Sequence, residues 1–246
     1  MTTPLAVISG GTRGIGLALS RRLVKLGHHV VALYRADADA AASAVAELDP
    51  MLSAVRVDVG DPDAVAGAGA AVLAEHGAPR VLVNNAGINI DRPFLSLEVA
   101  DWRRVLDTNL SGAFYLTRVF APAMLTQPGA VIVNIGATTG IRPRRDGANY
   151  CASKAGLLQL TKCLAVELAP RIRVNCLIPG MTGTEELTTR FRLDDPAALA
   201  DVLAEIPLAR LGTADDVADG LEYLIGPASG YLTGQKLIVD GGQFMW

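Results

Sequence analysis

Ser9-Gly10-Gly11-Thr12-Arg13-Gly14-Ile15-Gly16 is the stretch on which the fold turns. Before it lies a short apolar run, Leu5–Ser9. After it comes a helical pattern over 15–26 that stops at Gly27, a residue suited to the left-handed position after a helix. Strand, glycine turn and helix in that order make a phosphate-binding unit. The glycines permit a tight turn and close backbone approach, and the first N–H groups of the helix stay available to a phosphate. The spacing is G-x-x-x-G-x-G, with Leu19 in the last glycine place of the commoner G-x-G-x-x-G pattern. Gly10, Thr12, Arg13, Gly14, Ile15 and Gly16 are the candidate cofactor contacts; a plain tight turn is the alternative.

The same alternation continues. Further strands are expected at His29–Tyr34, 54–59, 81–85, Ala130–Ile135, 173–178 and 236–240, and helices over 38–48, 62–76, 101–125 and 149–169. Continuously apolar strands separated by helices imply an α/β chain whose parallel sheet is covered on both faces. The 246 residues, half of them apolar, suit one domain over 1–246. A charged fraction of 19% is too low for a disordered chain. No run of about 18 uncharged apolar residues offers a transmembrane helix, and the start, Met1-Thr2-Thr3-Pro4, lacks the basic region of a signal peptide. A net charge of −3 argues against a nucleic-acid surface. Cys151, Cys163 and Cys176 are odd in number and unpaired in spacing, which favours packing residues in a reduced, cytoplasmic compartment over a disulfide framework or zinc site. His28, His29 and His76 read as surface residues, and no metal site is expected.

The second strand ends at Tyr34-Arg35. An acidic residue there would hold the ribose 2′-hydroxyl of NAD; Arg35, with Arg13 in the loop, suits a 2′-phosphate through charge-assisted bonds. NADP(H) is therefore favoured, while Asp37 just beyond keeps NAD open. Asp58 can accept from the adenine amino group or serve as a turn residue. Farther on, Tyr150 and Lys154 stand four apart at the start of the long helix, on one face. A phenol titrates at about 10. A nearby ammonium lowers that value, so Tyr150 is expected to exchange protons near neutrality. By itself such a pair is common on ordinary helices.

Together these motifs resemble the short-chain dehydrogenase/reductase family, nearest its β-ketoacyl-carrier-protein reductase and polyketide ketoreductase branch. The matching residues are the glycine loop, Asn84-Asn85-Ala86-Gly87, Asn109, Tyr150 with Lys154, Pro179-Gly180, and Tyr231-Leu232-Thr233-Gly234 through Asp240-Gly241-Gly242. The resemblance implies a single Rossmann-type, doubly wound, parallel seven-stranded sheet. It implies hydride transfer at a carbonyl or carbinol, and usually a tetramer, here a homotetramer. Tyr150 would be the acid and Lys154 would bind the ribose and assist it. Asn109 would hold a relay water through its backbone. Asn84, Ala86 and Gly87 would line the adenosine ribose, Asp58 and Val59 the adenine, and Pro179, Gly180 and Thr182 the nicotinamide.

The resemblance breaks at one place. Where the family has a serine that bonds the substrate oxygen, this chain has Ala137. Loss of such a donor costs about 2.7–4 kcal/mol of transition-state stabilisation. Thr138 or Thr139 would replace it, Thr139 sharing the face of Ala137 if the chain stays extended. Otherwise the substrate carries its own polarising group, or ordinary reductase activity is lost. Residues 181–206 are expected to form a substrate lid. Arg142, Arg144 and Arg145 make a basic patch, facing either an acidic carrier protein, a phosphopantetheine phosphate or plain solvent. The expected activity is NADPH-dependent reduction of a ketone, on a β-ketoacyl thioester or polyketide-like substrate, small or carrier-bound. A non-redox cyclase, dehydratase or isomerase and a silent NADP(H)-binding partner subunit are the alternatives.

Overall fold

The apolar runs pair with equally apolar neighbours and bury both faces. The structure, a computed structural model, describes residues 3–245. Its strands are β1 (Leu5–Ser9), β2 (His29–Tyr34), β3 (Leu52–Arg56), β4 (Val81–Asn84), β5 (Ala130–Ile135), β6 (Ile172–Pro179) and β7 (Lys236–Val239). All pair in parallel, in the order β3-β2-β1-β4-β5-β6-β7. The helices are α1 (Gly14–Lys25), α2 (Ala38–Leu48), α3 (Pro62–His76), α4 (Val99–Leu106), α5 (Gly112–Met124), α6 (Ala148–Leu168), α7 (Glu185–Phe191), α8 (Pro196–Ala204) and α9 (Ala214–Ile225).

Strand alternation divides the core into two layers. Leu5 and Val7 of β1 face Val65 and Val72 of α3, Phe120 and Met124 of α5, and Ala165 of α6. Ala6 and Ile8 face the other way, with Leu19 and Leu23 of α1, Ala44 of α2, and Val217 and Leu221 of α9. A fully buried Leu, Ile or Phe contributes roughly 1.5–3 kcal/mol. The chain winds outward from β1 to β3, then returns and winds the other way from β4. The strand ends at that reversal form the crevice in which α/β sheets bind ligands.

Five expectations shift. The third strand occupies Leu52–Arg56 and not 54–59, because its register with β2 ends at Tyr34↔Arg56. The helix expected over 101–125 is α4 and α5 joined by a π turn, Asp107–Ser111. The helix α9 was not anticipated, although Thr213 and Asp216 form a capping box at its start. His28 is buried and His29 and His76 half-buried, the latter two stacked at 5.0 Å where the start of β2 meets the end of α3. Of the cysteines, Cys176 is in the core, Cys151 half-buried and Cys163 exposed, so Cys163 is not a packing residue. Among the described residues no helix is long and apolar enough to cross a membrane.

Candidate active site

The glycine loop crosses the top of β1 where space is least. A Cβ on Gly16 would overlap the Gly10 carbonyl, and Gly10 and Gly14 have φ of +65° and +52°. Two side chains outside the expected set clamp this turn to β4. Asn85 Nδ2 donates to the carbonyls of Ser9 and Gly10, at 2.9 and 3.1 Å, and Ser9 Oγ accepts from the amides of Asn85 and Ala86, each at 3.0 Å. The α1 N-cap, Arg13, makes no side-chain cap bond, and the first turn holds no acidic residue. The N-terminal amides of α1 are thus uncapped by side chains, as an anion site requires.

Arg13 and Arg35 are both exposed at this rim, and Arg56 Nε donates to the Arg35 carbonyl at 3.1 Å. Asp37 is used locally: it caps α2 by accepting from Ala40 N at 3.0 Å. Asp58 takes a turn role with one oxygen, accepting from Gly60 N at 3.0 Å. Val59 is buried beneath it and Ile15 lies half-buried on α1, while Thr12 is buried in the loop. The Asn84 side chain turns into the sheet, donating to Asn134 Oδ1 at 2.8 Å and Thr117 Oγ1 at 3.3 Å. Only its backbone reaches the rim. Thr182 is likewise buried, donating to the Gly180 carbonyl at 3.2 Å, and Gly180 packs so closely on Asp240 that a Cβ there would come within 2.6 Å of its backbone. Pro179 ends β6 beside Val239.

The helix α6 brings Tyr150 and Lys154 to the same crevice. Asn149 and Ser153, also unforeseen, hold its first turn. Asn149 Nδ2 donates to Ile90 O at 2.9 Å and its Oδ1 accepts from Tyr150 N at 2.7 Å; Ser153 Oγ donates to Tyr150 O at 2.8 Å. Asn109, in the π turn, accepts from Ile88 N at 2.8 Å and donates to Ile88 O and Ser153 Oγ at 2.9 and 3.1 Å. π turns recur at functional sites. Lys154 Nζ donates to Ile135 O at 2.8 Å and lies 5.7 Å from the centre of the Tyr150 ring. A Cβ on Gly87 would sit 3.6 Å from that Nζ, so the strand end of β4 and the lysine meet.

The electrostatics correct the expected acidity of Tyr150. Burial pushes its phenol up to about 12, and Glu186 adds to the rise while Arg190 and Arg144 oppose it. Burial also pushes Lys154 down to about 8. In the protein alone desolvation is the largest influence on both groups.

Beyond β5 the chain does not stay extended. Ala137 is extended, with φ −155° and ψ 151°, but Thr138–Gly140 turns into a 3₁₀ segment. Thr139 therefore does not share the face of Ala137 by strand alternation. Its hydroxyl is buried without a hydrogen-bond partner, and Thr138 is buried beside it. Nor do the three arginines form one patch. Arg142 lies over Phe244, 5.4 Å from the ring centre, and Arg144 turns inward over Tyr150, drawn by Asp91. Among the described residues no cluster has the makings of a metal site.

This arrangement can hold a dinucleotide along the strand ends and place a phenol beside its reactive end. Residues 10–243 match the family model described as enoyl-(acyl carrier protein) reductase. A 3-oxoacyl-[acyl-carrier-protein] reductase of Synechocystis is 36% identical over 100% of this chain and 99% of its own. One of Escherichia coli is 34% identical over 98% and 97%. Among solved structures, a short-chain dehydrogenase/reductase of Brucella melitensis superposes with a TM-score of 0.92 at 28% identity, covering 100% and 98%.

Proposed function

This chain belongs to the short-chain dehydrogenase/reductase family, NAD(P)-dependent oxidoreductases acting on CH–OH and C=O groups, and we propose that it is an NADPH-dependent ketoreductase for a β-ketoacyl thioester or polyketide-like substrate. The observation that carries this reading is the meeting of Tyr150, Lys154 and Gly87 at the mouth of the glycine cradle. The cradle fits a dinucleotide: Gly16 tolerates no Cβ, and the N-terminus of α1 has no side-chain cap. Gly10, Thr12, Arg13, Gly14, Ile15 and Gly16 would hold the pyrophosphate, and Asp58, Val59, Asn84 (by its backbone), Ala86 and Gly87 the adenosine. Pro179, Gly180 and Thr182 would flank the nicotinamide. Arg13 and Arg35 favour NADP(H), since Asp37 is occupied as a helix cap.

When bound, the nicotinamide supplies hydride. Tyr150, a neutral phenol at physiological pH, donates its proton to the carbonyl oxygen. Lys154 would bind the ribose hydroxyls of the cofactor and stabilise the phenolate that remains. The Asn109 side chain is committed to Ile88 and Ser153, which leaves its backbone for a relay water. The hydrogen bond lost at Ala137 is assigned to the Thr138-Thr139 turn. A buried hydroxyl without a partner costs about 1–3 kcal/mol; the Thr139 hydroxyl is such a group, and because it is closed to solvent the turn would have to open for it to meet a substrate oxygen.

Residues 181–206, which form α7 and α8, would be the lid within one domain. A homotetramer is part of the same proposal, with the exposed faces of α5 and α6, which carry Phe114 and Val166, as its contact surfaces. We further propose a cytoplasmic enzyme with a carrier-linked substrate, the latter in keeping with the acyl-carrier-protein reductases it resembles. Steady-state assays with NADPH and NADH against a panel of β-ketoacyl thioesters and aromatic ketones test the proposal. NADPH oxidation with at least one ketone, and a preference for NADPH, are expected. Tight NADPH binding without oxidation by any ketone would favour a non-redox enzyme or a silent partner subunit.

A further inference from the structure

Arg144 lies against the phenol in a site built to hold it. Its Cζ is 5.6 Å from the centre of the Tyr150 ring. Its Nη2 donates to Asn89 Oδ1 at 2.7 Å and Asp91 Oδ1 at 2.5 Å, and its Nη1 to the Arg145 carbonyl at 3.3 Å. Gly147 lets it lie there, since a Cβ at that position would come within 2.8 Å of Cζ. From the other side, Arg190 of α7 donates to Asp91 Oδ2 at 2.7 Å. One carboxylate is therefore shared by two guanidiniums. Glu186, 3.9 Å from Arg190, is a further anion; its side chain is 75% exposed, yet it raises the phenol's hold on its proton more than either arginine lowers it. The cluster pairs two guanidiniums with two carboxylates, and Arg144 is the cation that it lays over the phenol ring.

We propose that Arg144 is a positioning residue for the Tyr150 proton: its guanidinium, pinned by Asn89 and Asp91, supplies the permanent charge against which the departing phenolate is stabilised. The proposal rests on the reductase reading. In that reaction the carbonyl carbon takes up hydride, the oxygen takes the Tyr150 proton, and the phenolate keeps the O–H electron pair. Two cations then border the phenolate, Arg144 and Lys154, at 5.6 and 5.7 Å from the ring centre. They differ in kind. Burial lowers the Lys154 affinity for its proton, whereas an arginine stays charged throughout the working range. The charged and titratable groups facing Tyr150 are Lys154 and Cys151 on α6, Arg144 before it, and Glu186 and Arg190 on α7. Asp91 touches both arginines. Arg144 is the arginine placed over the ring. A chain without the serine at position 137 gains most from such help, because more of the barrier falls on the tyrosine.

The test follows a ring-fluorinated tyrosine at position 150 by fluorine NMR. Fluorine acidifies the phenol and brings its titration into a range the fold tolerates, and no turnover is needed. R144M and R144Q are expected to raise the titration midpoint by about one pH unit, tenfold in acidity, as befits a partly screened charge at this distance. R144K should stay near the parent. R144M combined with D91N should also titrate high, which excludes the freed carboxylate as the cause. In alcohol oxidation the alkaline rise of kcat should move the same way. A midpoint unchanged in R144M and R144Q overturns the proposal. A raised KM at unchanged midpoint overturns it too, and makes Arg144 a substrate contact. A parent protein whose midpoint responds to R144M but which reduces no ketone would refute the reductase reading alone.

Discussion

Replacing Lys154 by methionine is expected to stabilise the protein at neutral pH while abolishing its activity. Lys154 is 4% exposed, with Ile135 O as its protein acceptor at 2.8 Å. Burial pushes its ammonium from an ordinary 10.5 down to about 8. Between those values the unfolded chain binds a proton that the folded protein does not, so stability rises with pH across that window. Below pH 8 both states hold the proton and the fold bears the whole cost of burying it; above 10.5 that cost is gone. At 1.36 kcal/mol per pH unit the cost is about 3 kcal/mol. Methionine has similar reach and does not titrate. Against the neutral amine it forfeits one hydrogen bond, about 1 kcal/mol. K154M should therefore be about 2 kcal/mol more stable than the parent at pH 7, and about 1 kcal/mol less stable above pH 10.5. Urea unfolding at one protein concentration, at pH 7 and pH 10, measures the difference. A variant less stable at pH 7, or a difference that does not change with pH, would refute the reasoning.

Three further outcomes are expected. T139V should lower kcat/KM by about 100- to 1,000-fold, the worth of one donor to a developing oxyanion, and A137S should restore most of it; an unchanged T139V means that the oxygen is held elsewhere. Gly16→Ala should weaken NADPH binding at least 100-fold, about 2.7 kcal/mol, because the new methyl overlaps the Gly10 carbonyl, and calorimetric titration showing parental affinity would contradict the cradle. Burial, with Arg80 beside His28 and His76 beside His29, holds both histidines below the ordinary 6.5, so unfolding free energy should fall as pH drops through 6.5 toward their folded values. H28L should flatten that fall, and a pH-independent parent would count against it.

What the sequence discloses is mostly local. The unit from Leu5 to Lys25 is legible because strand, glycine turn and helix signals are contiguous. Tyr150 and Lys154 are legible because helical spacing alone puts them on one face. The limits of β3 are not, since they depend on where β2 ends. The π turn is not, because Asp107–Ser111 carries no glycine or proline; tertiary bonds from Asn109 to Ile88 and Ser153 accompany it. Ser9 and Asn85 stood inside quoted motifs, yet their clamp joins residues 76 apart. Likewise Asp91 meets Arg144 and Arg190 across 53 and 99 residues, which turned an apparent surface patch into part of the site. The acidity of Tyr150 is not legible for another reason: spacing reveals the nearby lysine but not the burial that pushes the phenol up.

Single-turnover mixing of enzyme-bound NADPH with a β-ketoacyl thioester, followed at the nicotinamide absorbance, tests Tyr150 most directly. The parent should consume one NADPH per ketone reduced. Tyr150→Phe should bind NADPH with parental affinity and show no absorbance loss on the same timescale. Parental turnover in Tyr150→Phe would contradict the assignment of the proton to this phenol.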